Sequence, residues 1–134
     1  MEEKVQIKTI SSIYETKPWG YGDQPDFLNQ VVEVQTELTP TRLLDFLKRV
    51  EKKMGREKNF RFGPRLIDLD ILLYGNRVVH TTRLDIPHPK LAERAFVLVP
   101  LAELAPELVH PLEGKTVAEL LAKTTDRDEV RRCK

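Results

Sequence analysis

The sequence predicts a single α+β domain, on three observations. Segments with strand-type alternation and segments with a helical apolar stripe are mixed along the chain without a regular βαβ rhythm. The 134 residues suffice for one hydrophobic core and are few for two. No internal repeat or low-complexity stretch divides the chain, so residues 1–134 read as one continuous unit.

In chain order, Val5 and Ile7 alternate, and the apolar positions then fall at Ile10 and Ile13, which predicts a strand with an irregularity over residues 5–14. Residues 17–26 carry two Pro, two Gly and two Asp, the composition of a loop. Residues 28–38 form a second strand, rich in β-branched Val31, Val32, Val34 and Thr36. Thr39-Pro40 opens a helix with a capping hydroxyl and a proline at the first helical position. Leu43, Leu47, Val50 and Met54 are its buried stripe, and Gly55 is its predicted stop. A second irregular loop at 59–64 leads into a strand over residues 66–74, closed by a turn at Gly75-Asn76. Residues 77–86 read as short strands around a turn, residues 88–106 as a helical turn and an apolar strand at Phe96–Val99. A last short helix runs from Thr116 to Lys123, with Val117, Leu120 and Leu121 inward.

Composition removes several function classes. Lys and Arg number 22 against 21 Asp and Glu, so no bulk electrostatic footprint exists for duplex nucleic acid or anionic lipid. The one cysteine, Cys133, excludes an internal disulfide framework and a Cys-based zinc site. The longest apolar stretch, 95–105, is broken by Pro100 and Glu103 and is far shorter than the roughly 20 residues of a membrane helix. The acidic, polar start lacks the apolar core of a signal peptide. The expectation is a soluble, cytoplasmic domain.

The chemistry concentrates at residues 66–74. In a strand, Ile67, Leu69, Ile71 and Leu73 share one face, and Asp68 and Asp70 project together from the other, about 6 to 7 Å apart at Cβ. Two carboxylates on an apolar strand call for compensation, which a hard divalent cation such as Mg²⁺ supplies when it also meets a polyphosphate. The plainer reading, two exposed or Arg-paired aspartates, stands at even odds on the pattern alone. The flanks shift the balance. Residues 42–65 hold nine Lys and Arg against Asp45, Glu51 and Glu57, a local excess of +6 that leaves −5 for the rest. Lys52 and Lys53 suit a solvated helix face, whereas Arg56, Lys58, Arg61 and Arg65 flank or sit in the loop feeding the Asp segment. Cations converging on metal-binding carboxylates suit phosphoryl-type transfer, which is mostly positioning and charge neutralisation. A second set, Trp19, Tyr21, Phe27, Asn29, Phe62 and Phe96, would suit a planar heteroaromatic ligand, with ordinary packing as the alternative, favoured for Phe96 on pattern alone. His88 lies in the rigid Pro87-His88-Pro89 turn, and a lone histidine there is more often structural than catalytic.

Residues 61–75, running from Arg61-Phe62-Gly63-Pro64-Arg65 through Asp68-Leu69-Asp70 to Tyr74-Gly75, resemble the signature of the 6-hydroxymethyl-7,8-dihydropterin pyrophosphokinase family. Residues 84–89, 93–101, 12–20 and 24–29 fit the same family in order, and the match covers nearly all of residues 11–112. The resemblance implies a ferredoxin-like, mostly antiparallel sheet with helices packed on it. It also implies transfer of pyrophosphate from ATP to the hydroxymethyl group of a reduced pterin, in folate biosynthesis, leaving AMP. By that resemblance Asp68 and Asp70 bind two Mg²⁺ ions and Arg56 and Arg65 contact the phosphates. Glu51, Arg83, His88 and Arg94 surround the nucleotide. Thr16, Pro18, Trp19, Phe27, Asn29, Phe62 and Phe96 form the pterin pocket, with the ring between Phe27 and Phe96. The loops at 17–26 and 56–65 would close over the substrates.

Against the family pattern, the opening β-α unit is missing, which predicts an uncovered apolar face and a homo-oligomer that fills the gap, or neighbouring strands that close up. Lys48 and Phe62 replace a polar uncharged residue and a Trp. Two other functions compete. A catalytically weakened pterin- or nucleotide-binding or assembly module of the same fold differs from the enzyme in forming no pterin-dependent AMP. An RNA-binding domain would need aromatics on sheet strands, and Trp19, Tyr21 and Phe62 lie in loops.

Overall fold

The computed structural model describes residues 5–16, 27–57, 68–125 and 129–133, excepting the side chains of Phe27 and residues 55–57. Strand β1 (Val5–Ile10) pairs antiparallel with β4 (Val32–Thr36), from Val5 opposite Thr36 to Ile10 opposite Val32. The register shifts between Ile7 and Thr9, the irregularity that the spacing predicts. Ile7, Ile10 and Val32 on this hairpin are exposed.

Both predicted long strands break in two at the same level. Beyond the break, β2 (Tyr14–Thr16) pairs with β3 (Phe27–Asn29) on one side and β7 (Arg131–Arg132) on the other, all antiparallel. Buried Ser11 holds the crossing. Its N–H donates to the Val31 carbonyl at 2.9 Å, its hydroxyl accepts the Val31 N–H at 2.9 Å, and its carbonyl accepts from Gln30 Nε2 at 2.8 Å. Backbone groups that leave one ladder before joining the next are thereby satisfied without water.

Helix α1 (Pro40–Glu57) starts as predicted, with Thr39 Oγ1 accepting the Arg42 N–H at 3.3 Å. It runs two residues past Gly55, because one glycine costs a helix only about 1 kcal/mol relative to alanine. Strands β5 (Val79–His80) and β6 (Asp85–Ile86) form the expected short hairpin, followed by a cis Ile86-Pro87 bond. A single 3-10 turn (Leu91–Glu93) precedes α2.

Two further expectations fail. Residues 95–104 form helix α2, not a strand at Phe96–Val99. A short unbroken apolar run carries no period that separates strand from helix. Tertiary packing decides instead, burying Ala95, Leu98 and Leu101 at spacings of three on one helical face. Among the described residues of 66–74, none joins a strand ladder. The alternation survives: Asp68 and Asp70 are exposed, Leu69 is half-buried and Ile71 is buried. The segment's hydrogen bonds go to other partners. Leu72 carbonyl accepts the His88 N–H at 2.9 Å, and the Tyr74 hydroxyl donates to the Leu38 carbonyl.

The interior has two clusters. Ile86 and Ile71 pack with Leu43 and Leu44 of α1. Leu91, Leu98 and Leu101 pack with Val117 and Leu120 of helix α3 (Val117–Ala122). Tyr74 joins the first and Leu72 and Leu73 join the second, so one segment is anchored in both. Helix α3 opens on a Thr116 cap that accepts the Glu119 N–H, completed by a reciprocal bond from the Thr116 N–H to the Glu119 carboxylate.

Glu103 of α2 ties the helix to β2. Its carboxylate accepts from the Tyr14 hydroxyl at 2.8 Å and from the Ser12 N–H and hydroxyl at 3.0 Å each, and Arg132 approaches to 3.6 Å. The bond from Tyr14, followed by that from the Ser12 N–H, holds the Glu103 carboxyl below its ordinary range. A carboxyl with a lowered folded-state pKa adds stability that is complete above the unfolded value, 4.5, and is lost as pH falls through the folded one. Urea midpoints measured across pH therefore fall more gently below pH 4.5 in Glu103→Gln than in the parent chain. Leu98, which is 0% exposed, gives the packing test. Leu98→Ala lowers unfolding free energy by about 3 kcal/mol in denaturant titration.

Candidate active site

The Asp pair is presented rather than buried. Burial of Ile71 and partial burial of Leu72, Leu73 and Tyr74 fix the segment, and its start emerges with Asp68 and Asp70 in solvent. Among the described residues neither carboxylate has a hydrogen-bond or ion-pair partner, so all their oxygen lone pairs are available. Such a donor set fits a hard cation that keeps most of its waters. Mg²⁺ characteristically takes one or two protein carboxylates plus substrate phosphates. No group of three or more metal-ligating side chains occurs among the described residues, so a dedicated all-protein cage is absent there.

Asp70 opens onto a cavity of about 330 Å³, walled also by Lys48, Leu69, Arg83, His88 and Pro89. The structure thus brings together Asp70, Arg83 and His88 of the sequence-predicted set and adds Lys48. Arg83 is steered from α1, where Asp45 accepts from its guanidinium at 2.8 Å. His88 is oriented by its own turn: Nδ1 accepts the Lys90 N–H at 3.1 Å, which leaves the proton of the neutral ring on Nε2.

Glu51 does not line this cavity. Its Oε2 accepts the Leu69 N–H and its Oε1 faces Lys48 Nζ at 3.5 Å. Leu69 separates the two aspartates, so a helix carboxylate sets the backbone from which both project. Asp45 was legible only as one of three acids inside a basic stretch, and Glu51, which the resemblance places by the nucleotide, shows instead a tether to the Asp segment.

The other predicted residues lie elsewhere. Tyr14 pairs with Asn29 and Thr16 with Phe27 across β2 and β3, and α2, which carries Phe96, packs on both strands. The amide Nδ2 of Asn29 is buried without a hydrogen-bond partner among the described residues. A buried amide donor left free costs about 1–3 kcal/mol unless a ligand acceptor meets it. Arg94 lies over the Phe96 ring at 5.4 Å, a cation–π contact. Neither residue lines the Asp70 cavity. Pro18, Trp19, Phe62 and Arg65, with both predicted closing loops apart from residues 56–57, lie outside the described residues. So do the side chains of Phe27 and Arg56.

Residues 1–106 match the family model for 7,8-dihydro-6-hydroxymethylpterin-pyrophosphokinase. The 2-amino-4-hydroxy-6-hydroxymethyldihydropteridine pyrophosphokinase of Aquifex aeolicus is 44% identical over 125 residues, covering 93% of this chain and 78% of that protein. The Haemophilus influenzae protein of the same name is 46% identical over 125 residues with the same coverage. The folic acid synthesis protein fol1 of Pneumocystis carinii is 46% identical over 131 residues, where this chain spans 18% of its length.

The Glu51 tether has a direct readout in amide exchange. In Glu51→Ala the Leu69 amide loses its protection, whereas Glu51→Gln, which keeps an acceptor oxygen, retains most of it. Equal protection in all three proteins contradicts the tether.

Proposed function

The chain belongs to the 7,8-dihydro-6-hydroxymethylpterin-pyrophosphokinase family, and on that premise we propose how its own residues carry out the reaction. Pyrophosphate passes from ATP to the hydroxymethyl group of 6-hydroxymethyl-7,8-dihydropterin, a step of folate biosynthesis that leaves AMP. Release of AMP requires that the pterin hydroxyl oxygen attack the β-phosphorus while the bond to the α–β bridging oxygen breaks. The hydroxyl proton leaves to solvent. The observation that carries this reading is the cavity that the open carboxylate of Asp70 lines together with Lys48, Arg83 and His88. Carboxylate and cations lining one cavity suit a metal–polyphosphate, because each takes the charge the other cannot.

In this reading Asp68 and Asp70 hold Mg²⁺, two ions with the nucleotide. Bound there, Mg²⁺ neutralises triphosphate oxygens and templates them for in-line displacement. Lys48, Arg83 and the Nε2–H of His88 bind the nucleotide, and Asp45 and Glu51 orient Arg83 and the Asp segment. Arg56 and Arg65 meet the transferring phosphates. Thr16, Pro18, Trp19, Phe27, Asn29, Phe62 and Phe96 accept the pterin, with Arg94 stationed on Phe96. The free Asn29 amide supports this second half, because a pterin ring edge offers the acceptor it lacks. No protein nucleophile is required, and positioning, charge and exclusion of water account for the rate. Residues 1–134 act as one domain in the cytoplasm. No helix among the described residues is long and apolar enough to cross a membrane.

The deciding assay follows AMP by chromatography with ATP, Mg²⁺ and the pterin alcohol. AMP forms only when the pterin is present, and Asp68→Ala or Asp70→Ala lowers turnover by about 10²-fold or more with melting unchanged, since both side chains are exposed. Pterin binding without AMP formation in the parent chain transfers the assignment to a binding module. Asn29→Ala raises the KM for the pterin about tenfold and leaves the KM for ATP unchanged.

A further inference from the structure

Behind the His88 turn lies a second cavity, of about 300 Å³, sharing Pro89 and His88 as a wall with the first and lined also by His110, Lys115 and Lys123. These last three residues lie beyond the stretch that the family model matches. The reaction proposed above uses none of them.

His110 is only 5% exposed. Its backbone is fully engaged, the N–H with the Lys115 carbonyl at 2.8 Å and the carbonyl with the Gly114 N–H at 2.9 Å. The ring is oriented from one side, where Nδ1 accepts the N–H groups of Leu112 at 3.2 Å and Glu113 at 3.1 Å. A nitrogen that accepts twice carries no proton, so the neutral ring bears its hydrogen on Nε2. Among the described residues that Nε2–H has no partner. It lies across the ring from the backbone donors, in a side chain that lines the cavity. Among the described residues Asn29 Nδ2 is the only buried side-chain nitrogen or oxygen without a partner, so the His110 Nε2–H is open to solvent and available to a ligand in the cavity.

The second observation is independent. Lys115 and Lys123 line the same cavity. The neighbouring Lys115 side chain, by hydrogen bonding first and charge repulsion second, holds the Lys123 pKa below its ordinary range. Two lysines lining one cavity with an N–H donor match a dianion with three acceptor oxygens. Glu93 and Glu113 also line the cavity, which opposes large polyanions and favours a compact one.

We propose that this cavity is a binding site for a phosphate group, free or carried by a small monoester, held by His110 Nε2–H and the ammonium groups of Lys115 and Lys123. The assignment is independent of the reaction catalysed at the neighbouring cavity.

The test is a proton–nitrogen magnetic-resonance titration of the full chain with inorganic phosphate and with glycerol 3-phosphate, at constant ionic strength set by chloride. The His110 Nε2 and Gly114 amide signals shift saturably. Tighter binding of the monoester assigns the site to a metabolite, and tighter binding of inorganic phosphate assigns it to the free ion. The Lys115→Met/Lys123→Met variant binds about tenfold or more weakly, and its melting temperature and pterin-dependent AMP formation without added phosphate are unchanged. Lys123→Met alone, at an exposed position, gives a smaller loss in the same direction and serves if the double variant does not fold. Three outcomes overturn the proposal: no saturable shift at His110, undiminished binding in a folded lysine variant, or shifts confined to Leu69 and Leu84 at the neighbouring cavity.

Discussion

Residues 68–74 are gripped by two apolar clusters at once, and the candidate active site depends on that grip. Ile71 is locked under α1 with Ile86, and Leu72 and Leu73 pack toward α2 and α3. A fully buried aliphatic side chain contributes about 1.5–3 kcal/mol, against about 1 kcal/mol for a typical hydrogen bond. Burial therefore fixes where the segment lies, and hydrogen bonds fix which way it faces. Glu51 orients its start through Leu69, and the Leu72 carbonyl orients the His88 turn. Two aspartates can then stand in solvent, without desolvation cost, on a backbone that cannot drift.

The same logic organises the charges. A chain with nearly balanced totals concentrates nine cations in residues 42–65, and two of the three acids there form ion pairs that also orient the site. Asp45 aims Arg83, and Glu51 aims the Asp segment while facing Lys48. Orientation prepared before substrate arrives is what a transfer reaction without a protein nucleophile demands, since reorganisation at the moment of reaction would raise its barrier. The proposed pterin half follows a parallel rule on β2 and β3, where pairing with Tyr14 and Thr16 holds Asn29 and Phe27 in register.

Much of this was legible in the residues themselves. Helix α1 could be read because a cap, a proline and an apolar stripe agree, and α3 because Thr116 and the inward Val117, Leu120 and Leu121 coincide. The outward pair Asp68 and Asp70 could be read because alternation is a property of extended chain whether or not a ladder forms. Less was legible where partners remote in sequence decide. The breaks at Ser11 and Val31 depend on hydrogen bonds spanning 20 residues. The helical state of Phe96–Val99 depends on α3 and the 3-10 turn, because an unbroken apolar run has no period of its own. Glu51 could be placed near the site, yet its bond to a backbone N–H 18 residues away leaves no trace in composition or spacing.

The central claim is that the Asp68–Asp70 segment, and not another acidic group of the chain, receives the metal–nucleotide. Mn²⁺ serves as a paramagnetic stand-in for Mg²⁺, added with an ATP analogue whose α–β bridge is a methylene and does not cleave. Relaxation of backbone amides then reports distance from the metal. The account predicts broadening centred on Leu69 and Ile71, extending to His88 and Leu84, and lost in the Asp68→Ala/Asp70→Ala variant. Broadening centred elsewhere, or unchanged in that variant, contradicts it.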